Sequence, residues 1–244
     1  MTQRRFLTAE WKNLLMLNYA VDAEMLQRYV PAGTELDRFA GKFYVSLIGF
    51  EFNHTRIAGA RVPFHQSFEE VNLRLYVRRG ERRGVVFIRE LVPKRAVVAI
   101  ARAVFGENYA CARMSHLVEM DVHSGDTTAK FSFGSGSDLC SMHLETIGEP
   151  LVPADESLAQ FITEHYWGYA RSSDGTTLEY EVQHPRWRVW GAKDAGFRGD
   201  ATAFYGAEFA KVLERPPDSA FLAEGSAVTV FRGTRIQSNT VGLV

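Results

Sequence analysis

The sequence has few cysteines and no long apolar run, and each absence excludes a class of protein. Its 2 cysteines, Cys111 and Cys140, form no CxxC pair, so we expect free thiols in a cytoplasmic protein. The longest stretches without a charged residue, such as residues 13–21, fall well short of the roughly 18 residues that a membrane-spanning helix needs. No apolar segment follows the first five residues, and we therefore expect no secretory signal.

An excess of charge of either sign is also missing. The 28 lysines and arginines balance 29 acidic residues, for a net charge of −1, which lacks the basic footprint of a protein that binds nucleic acid or an anionic membrane. Repeats, low-complexity tracts and Pro/Ser-rich linkers are absent too. We predict a single domain over residues 1–244 with a flexible tail from residue 236, and a small-molecule ligand as partner. A homo-oligomer is left open.

Strand signals dominate what is present. Short segments rich in Val, Phe, Tyr, Leu and Thr alternate in polarity and are separated by Gly, Asp, Asn or Pro. The predicted strands are residues 11–21, 42–53, 68–78, 84–91, 113–121, 128–134, 177–183, 187–192 and 226–232. The Gly-Ser cluster at residues 134–138 predicts a hairpin loop.

Three helices are predicted between the strands. Asp22 and Ser157 are suitable N-cap residues, and Pro93 suits the first position of a helix. The predicted helices cover residues 23–29, 93–105 and 158–169, with a shorter helical turn over residues 206–213. The fold class predicted is therefore α+β, mainly antiparallel β and tending to a barrel.

One predicted strand carries a row of polar side chains. Residues 68–77 alternate, so one face holds Val71, Leu73, Leu75 and Val77, and the other holds Glu70, Asn72, Arg74 and Tyr76. The polar row either faces water or faces a barrel lumen, where these groups would converge on a small polar ligand. In the second case Arg74 would bind a carboxylate in bidentate geometry, and Glu70 would move protons or orient water.

A second candidate site lies at the start of the second helix. With Pro93 at the first helical position, Lys94 falls in the first turn with Arg95 beside it. The positive helix end and the neighbouring cation both favour a neutral amine, which a nucleophilic lysine requires. The alternative is an exposed lysine at a helix start, where water screens both effects.

The remaining motifs argue against a metal or cofactor. None of the 7 histidines forms a close HxH or HxxxH pair, and the sequence contains no P-loop, GxGxxG, GxSxG or HExxH. We predict His165 as a hydrogen-bonded core residue on the third helix, and His184 as either a turn residue or a pocket residue. The arginine-rich residues 78–83 predict a solvated hairpin tip.

Residues 68–77, followed by Gly84-Val85-Val86-Phe87, resemble the YqjF-like family, a group of bacterial proteins built on a domain of unknown function (number 2071). The similarity extends over nearly the whole chain and includes residues 11–19, 45–50, 161–166 and 225–231. Its most specific part is the Glu-Val-Asn-x-Arg-x-Tyr-Val motif. The family resembles acetoacetate decarboxylase in fold, which implies a closed, ligand-enclosing β-barrel with peripheral helices and a lumen lined by Glu70, Asn72 and Arg74.

The resemblance also implies a chemistry. Acetoacetate decarboxylase uses a Pro-Lys-Lys element whose first lysine forms a Schiff base with a β-keto acid, and Pro93-Lys94-Arg95 is similar to it. Lys94 would then be the Schiff-base lysine and Glu70 an active-site glutamate. Two departures are an arginine in place of the second lysine, and residues 89–92, where YqjF-like relatives often carry a Ser-Leu-Asp-Ala type stretch.

Two functions follow as alternatives. The first is an enzyme, a Schiff-base lyase or decarboxylase that acts on a small keto acid or carbonyl compound through Lys94 and Glu70. The second is a non-catalytic barrel that binds a small carboxylate or apolar ligand through Arg74, Asn72, Tyr76 and Arg95. The orientation of Lys94 relative to the lumen discriminates between them.

Overall fold

The computed structural model describes residues 4–61, 65–172 and 174–236, which are mostly β-structure with a few helices. Its strands are β1 (Arg5–Val21), β2 (Glu35–Leu36), β3 (Phe43–Ile57), β4 (Ala60–Arg61), β5 (Phe68–Arg79), β6 (Arg82–Val92), β7 (Tyr109–Cys111), β8 (Met114–Met120), β9 (Thr127–Phe133), β10 (Cys140–Leu151), β11 (Trp167–Arg171), β12 (Thr177–Gln183), β13 (Val189–Arg198), β14 (Ser219–Phe231) and β15 (Thr234–Ile236). Its helices are α1 (Ala23–Gln27), α2 (Arg95–Phe105), α3 (Leu158–Thr163) and α4 (Thr202–Leu213).

Seven strands are linked to one another in a circuit of hydrogen-bonded pairs. The order β12-β11-β6-β5-β3-β1-β14 runs through neighbouring strands, and β14 also pairs with β12, through Val182 opposite Val230. The pairing of β6 with β11 is parallel, and the other pairs in the circuit are antiparallel. We call these seven strands the strand circuit. Strands β13, β10, β9 and β8 continue from β14 in that order.

Both faces of β5 are buried, because the continuing strands cover the outer face of the circuit. Leu73 and Leu75 belong to a hydrophobic core with Phe131 of β9, Met142 of β10 and Phe209 of α4. Tyr76, on the opposite face, packs in a second core that includes residues of β1, β3 and α3. Strand β5 is therefore an interior strand, and its polar row lies in the protein interior.

The strand predictions are confirmed in position, with longer boundaries in most cases. Strands β10 and β11 were not predicted, and β11 lies where the third helix was expected to continue. The predicted start of α3 is confirmed, since the helix follows the Ser157 N-cap, whose Oγ accepts from the Gln160 amide at 3.1 Å. The predicted end at residue 169 is wrong, because α3 ends at Thr163. The residues from Trp167 onward form strand β11 and not helix, because Trp167 and Gly168 pair with β6.

Two other helix boundaries also differ from the prediction. Helix α2 starts at Arg95, so Pro93 precedes the N-cap and Lys94 is the N-cap residue itself, with an extended backbone. Helix α4 begins at Thr202 and is kinked at Gly206, where φ is 82°. Of the expected tail, residues 236–244, all but Ile236 lie outside the described residues, and Ile236 pairs with Thr177 at the end of β15. None of the described helices is both long enough and apolar enough to span a membrane.

The arginine-rich hairpin tip has partners that the sequence did not reveal. It joins β5 to β6 as predicted, but Arg79 and Arg82 both form ion pairs with the buried Glu179 of β12, at 3.3 and 2.7 Å. Arg83 similarly pairs with Asp37 at 2.7 Å. The cations therefore neutralise carboxylates at the edge of the strand circuit, where an unpaired buried charge would be costly.

The parallel joint between β6 and β11 provides a test of the circuit. A Cβ on the buried Gly84 would lie 2.5 Å from the carbonyl oxygen of Trp167, so we expect Gly84→Ala to cost about 1–3 kcal/mol of unfolding free energy in urea denaturation. Gly191→Ala in β13 is the matched control, since its Cβ would meet only Ile147 at 3.6 Å. Equal stability of the two variants would contradict the β6–β11 packing.

Candidate functional site

The strands of the strand circuit line a cavity of about 140 Å³. All seven strands of the circuit contribute lining residues, and much of the wall is aromatic, including Trp11, Phe50, Phe52, Phe87, Phe105 and Trp167. An engineered apolar cavity of about 150 Å³ in another protein binds benzene, so this cavity has room for a ligand of roughly that size. Its polar groups come from strands that include β5, β6, β7 and β12, and from segments between elements, which contribute Glu107, His165 and His184.

Three members of the predicted polar row, Glu70, Asn72 and Arg74, line this cavity. The fourth, Tyr76, does not belong to the described lining. Its hydroxyl lies 2.5 Å from Oγ of Ser46, which itself donates to Asn18 at 2.6 Å, so Tyr76 donates within a buried chain of hydrogen bonds. Tyr76 thus supports the wall behind the cavity.

Glu70 is held by two donors inside the cavity wall. Nδ2 of Asn72 donates to Oε1 at 2.9 Å, and the Tyr109 hydroxyl donates to Oε2 at 3.0 Å. Only 2% of Glu70 is exposed. Burial raises the pKa of Glu70 to about 7, although both hydrogen bonds oppose the shift.

Two further glutamates complete an acidic end of the cavity that the sequence analysis missed. Glu90 of β6 lies opposite Asn72 in the β5–β6 register, and Glu107 follows the left-handed Gly106 that ends α2. The Tyr180 hydroxyl donates to Oε1 of Glu107 at 2.7 Å. Burial, together with the charges of Glu107 and Glu70, raises the pKa of Glu90 well above its usual value.

Glu107 experiences the same environment. Burial raises its pKa to about 8, the hydrogen bond from Tyr180 opposes the shift, and the charge of Glu70 adds to it. We define Glu70, Glu90 and Glu107 as the carboxyl cluster. Burial raises the pKa of all three carboxyl groups, and the charge of Glu70 adds to the shift at Glu90 and Glu107, which makes this the chemically unusual part of the cavity.

Arg74 supplies positive charge elsewhere on the wall. Its Nη2 donates to the Ile162 carbonyl at 2.9 Å, and its guanidinium lies 5.4 Å from the centre of the Tyr76 ring. Within the described part of the chain it forms no ion pair. His165 and His184 also line the cavity, and burial lowers the pKa of each to about 4, so both are neutral at pH 7.

His165 is buried as predicted, but it lies beyond the end of α3 and not on a helix face. Its Nε2 is 3.5 Å from Oδ2 of Asp37, and its ring packs 4.7 Å from that of Tyr76. His184, the other histidine considered, stacks on Trp187 at 4.0 Å. Both belong to the aromatic support of the cavity.

Lys94 and Arg95 lie apart from this arrangement. Lys94 is half-buried as the N-cap of α2, and Arg95 is exposed. Neither is among the described lining residues, whereas the next turns of α2 contribute Ala96, Val97, Ile100 and Ala101. The imine role of Lys94 therefore stays a prediction.

Solved structures of acetoacetate decarboxylase-like enzymes share this fold. The acetoacetate decarboxylase of Legionella pneumophila matches with a TM-score of 0.69 at 14% identity, over 96% of this chain and 88% of that one. MppR, an enduracididine biosynthesis enzyme solved with pyruvate, matches with a TM-score of 0.71 at 11% identity, over 98% of this chain and 93% of that one. The fold is thus that of the acetoacetate decarboxylase-like proteins.

Within this class the family can be stated. The chain belongs to the DUF2071 family of uncharacterized conserved proteins, whose model matches residues 8–227. The uncharacterized protein YqjF of Bacillus subtilis (strain 168) is 26% identical over 186 residues, which are 75% of this chain and 74% of YqjF. The resemblance drawn from residues 68–77 is confirmed.

The raised pKa of Glu70 predicts how stability depends on pH. The folded protein retains a proton that the unfolded chain loses above its ordinary pKa of 4.5, so this group destabilises the fold progressively as pH rises towards about 7. Glu70→Gln cannot lose a proton. We therefore expect the unfolding free energy of Glu70→Gln, relative to that of the wild type, to increase by about 2–3 kcal/mol when the pH is raised from 5 to 8.

Urea denaturation at several pH values measures this difference. Glu119→Gln is the matched control, because Glu119 is exposed on β8 and lies outside the cavity lining. Parallel stability profiles for the wild type and Glu70→Gln would show that Glu70 is an ordinary, ionised glutamate.

Proposed function

We propose that the chain is an enzyme of the acetoacetate decarboxylase-like superfamily that binds a small keto acid or related carbonyl compound and transfers protons through Glu70. The observation that carries this proposal is a carboxyl group buried in an enclosed cavity with a pKa of about 7. A general acid or base works best when its pKa is near the pH at which it acts. The similarity to MppR, which was solved with pyruvate, supports a keto acid as the ligand.

A closed barrel would give the cavity its low dielectric. The pairing of β12 with both β11 and β14 supports closure of the strand circuit into such a barrel. Inside it, water is excluded and electrostatic interactions with a ligand are stronger than at the surface. This environment accounts for proton retention by Glu70 and would favour proton transfer to and from a bound substrate.

Arg74 is the proposed anchor for the substrate carboxylate. It lies on the same strand as Glu70, four residues away, which corresponds to roughly 13 Å between the two backbone positions. Both side chains line the cavity, and this separation leaves room for a small molecule between them. The carboxylate of the ligand would pair with the guanidinium, while Glu70 removes and returns a proton at the carbon next to the carbonyl group.

A non-catalytic binding protein is the second candidate. The absence of any lysine from the described cavity lining favours it over the Schiff-base mechanism, since an imine needs an amine within reach of the ligand. Proton transfer by Glu70 does not need Lys94, and the proposal gives Lys94 and Arg95 no role.

Proton exchange in heavy water tests the catalytic proposal. We expect the wild type to accelerate exchange of the methyl protons of pyruvate or of a related keto acid, followed by proton NMR, and Glu70→Gln to slow it by about 100-fold or more. Lys94→Ala should exchange at the wild-type rate. Loss of exchange in Lys94→Ala, with an adduct trapped by borohydride at Lys94, would instead establish the imine mechanism. Binding without exchange in the wild type would leave the non-catalytic function.

Calorimetry tests the anchoring role of Arg74. Removal of a hydrogen bond to a charged group costs about 1.5–3 kcal/mol, and we expect Arg74→Ala to weaken binding of a small carboxylate by that amount. Arg78→Ala is the control, because Arg78 lies on the same strand but is exposed and pairs with Glu35. An unchanged affinity in Arg74→Ala would remove the proposed anchor.

A further inference from the structure

The hydrogen bonds around the carboxyl cluster leave two buried side-chain oxygen atoms without a partner. Its described donors are Nδ2 of Asn72 and the hydroxyls of Tyr109 and Tyr180, and each already donates to Glu70 or Glu107. Oε2 of Glu90 and Oδ1 of Asn72 are buried without a hydrogen-bond partner. Unpartnered buried acceptors are costly, so a ligand that brings N–H donors would stabilise this end of the cavity.

Lysine and arginine partners are missing from the cluster in the part of the chain that the structure describes. Within the described residues, no lysine or arginine forms an ion pair with Glu70, Glu90 or Glu107. Arg74, the cation on the same wall, is directed to the Ile162 carbonyl and the Tyr76 ring. This contrasts with Glu179 and Asp37, whose buried carboxylates each have arginine partners.

The walls around the cluster suit an organic cation. Phe105 packs on Tyr180 at 4.9 Å, and both line the cavity together with Phe87 and Trp167. Aromatic rings attract ammonium groups and also cover the apolar body of an amine. Among the described side chains, no group of three His, Cys, Asp or Glu residues has the arrangement that holds a metal ion.

We propose that Glu90 and Glu107 form a binding site for the protonated nitrogen of a small organic amine, with Glu90 Oε2 and Asn72 Oδ1 as its acceptors. The inference deepens the proposed function, on which it rests: the substrate would carry a basic nitrogen in addition to the carbonyl or carboxylate group. Glu90 and Glu107 then determine specificity, and Glu70 remains the proton-transfer group.

Amine binding should release protons from the protein. The titratable groups facing the site are Glu70, Glu90, Glu107, Tyr109 and Tyr180, and His65 and Arg74 lie on the same cavity wall. A bound cation favours the ionised carboxylates, so the protons that burial retains on the cluster near pH 7 would be displaced on binding.

Isothermal titration calorimetry with benzylamine and its neutral isostere benzyl alcohol tests the site. We expect the wild type at pH 7 to bind benzylamine at least about tenfold more tightly, the size of one charged hydrogen bond. Proton release should appear as a dependence of the binding heat on the ionisation enthalpy of the buffer. Glu90→Gln and Glu107→Gln, which keep side-chain shape, should each lose most of the preference for the amine, whereas Glu119→Gln should retain it.

Equal affinity for the two probes in the wild type would overturn the proposal, as would a preference for benzylamine that persists in both glutamine variants. Near-ultraviolet circular dichroism and benzyl alcohol binding establish that each variant is folded with an intact cavity. Keto-acid exchange through Glu70 without any preference for the amine would overturn this inference alone. Amine selectivity without exchange in any keto acid would overturn only the proton-transfer proposal.

Discussion

The burial of both faces of β5 is the constraint on which the rest of the structure depends. One face packs Leu73 and Leu75 into the core beneath β9, β10 and α4, and the other directs Glu70, Asn72 and Arg74 into the cavity. A strand with a polar face is normally solvated on that face. Here both faces of β5 are buried, one of them beneath the continuing strands β9 and β10. Each polar group of the row therefore needs a hydrogen-bond partner within the protein or on a ligand.

The partners that exist divide the cavity into two chemical parts. Around Arg74 the donors have acceptors in the Ile162 carbonyl and the Tyr76 hydroxyl, and the neighbouring histidines are neutral. Around Glu70 two buried oxygen atoms, Oε2 of Glu90 and Oδ1 of Asn72, lack hydrogen-bond partners, and burial raises the pKa of Glu70. The cavity therefore has a cationic group in one region, around Arg74, and carboxyl groups in the other, around Glu70. The rest of its wall is largely apolar and can contact the body of a small molecule. This asymmetry is what the proposed proton transfer and amine recognition both use.

The sequence predicted the part of this arrangement that depends on local pattern. Strict alternation over residues 68–77 was sufficient to place Glu70, Asn72 and Arg74 on one face, and their family motif pointed to an interior. Glu90 carried a weaker signal, as one of two adjacent charged residues, with Arg89, near the end of the mostly apolar residues 84–92. Glu107 follows a helix-ending glycine, and Tyr180 lies in a predicted strand among other polar residues, so only tertiary structure brings them together. The start of α2 was predicted two residues too early, at Pro93, because proline is found just before a helix as well as at its first position. Lys94 is therefore the N-cap residue and does not lie in the first turn.

The most direct test of this account is the titration of the carboxyl cluster itself. Carbon-13 NMR of glutamate-labelled protein follows each side-chain carboxyl carbon as pH is changed, and the Gln variants assign Glu70, Glu90 and Glu107. We expect Glu70 to titrate at about pH 7, Glu107 at about pH 8 and Glu90 well above the value of about 4.3 that is usual for glutamate. Midpoints in the usual range for all three would show ordinary, ionised carboxylates and would contradict the buried, proton-retaining cluster.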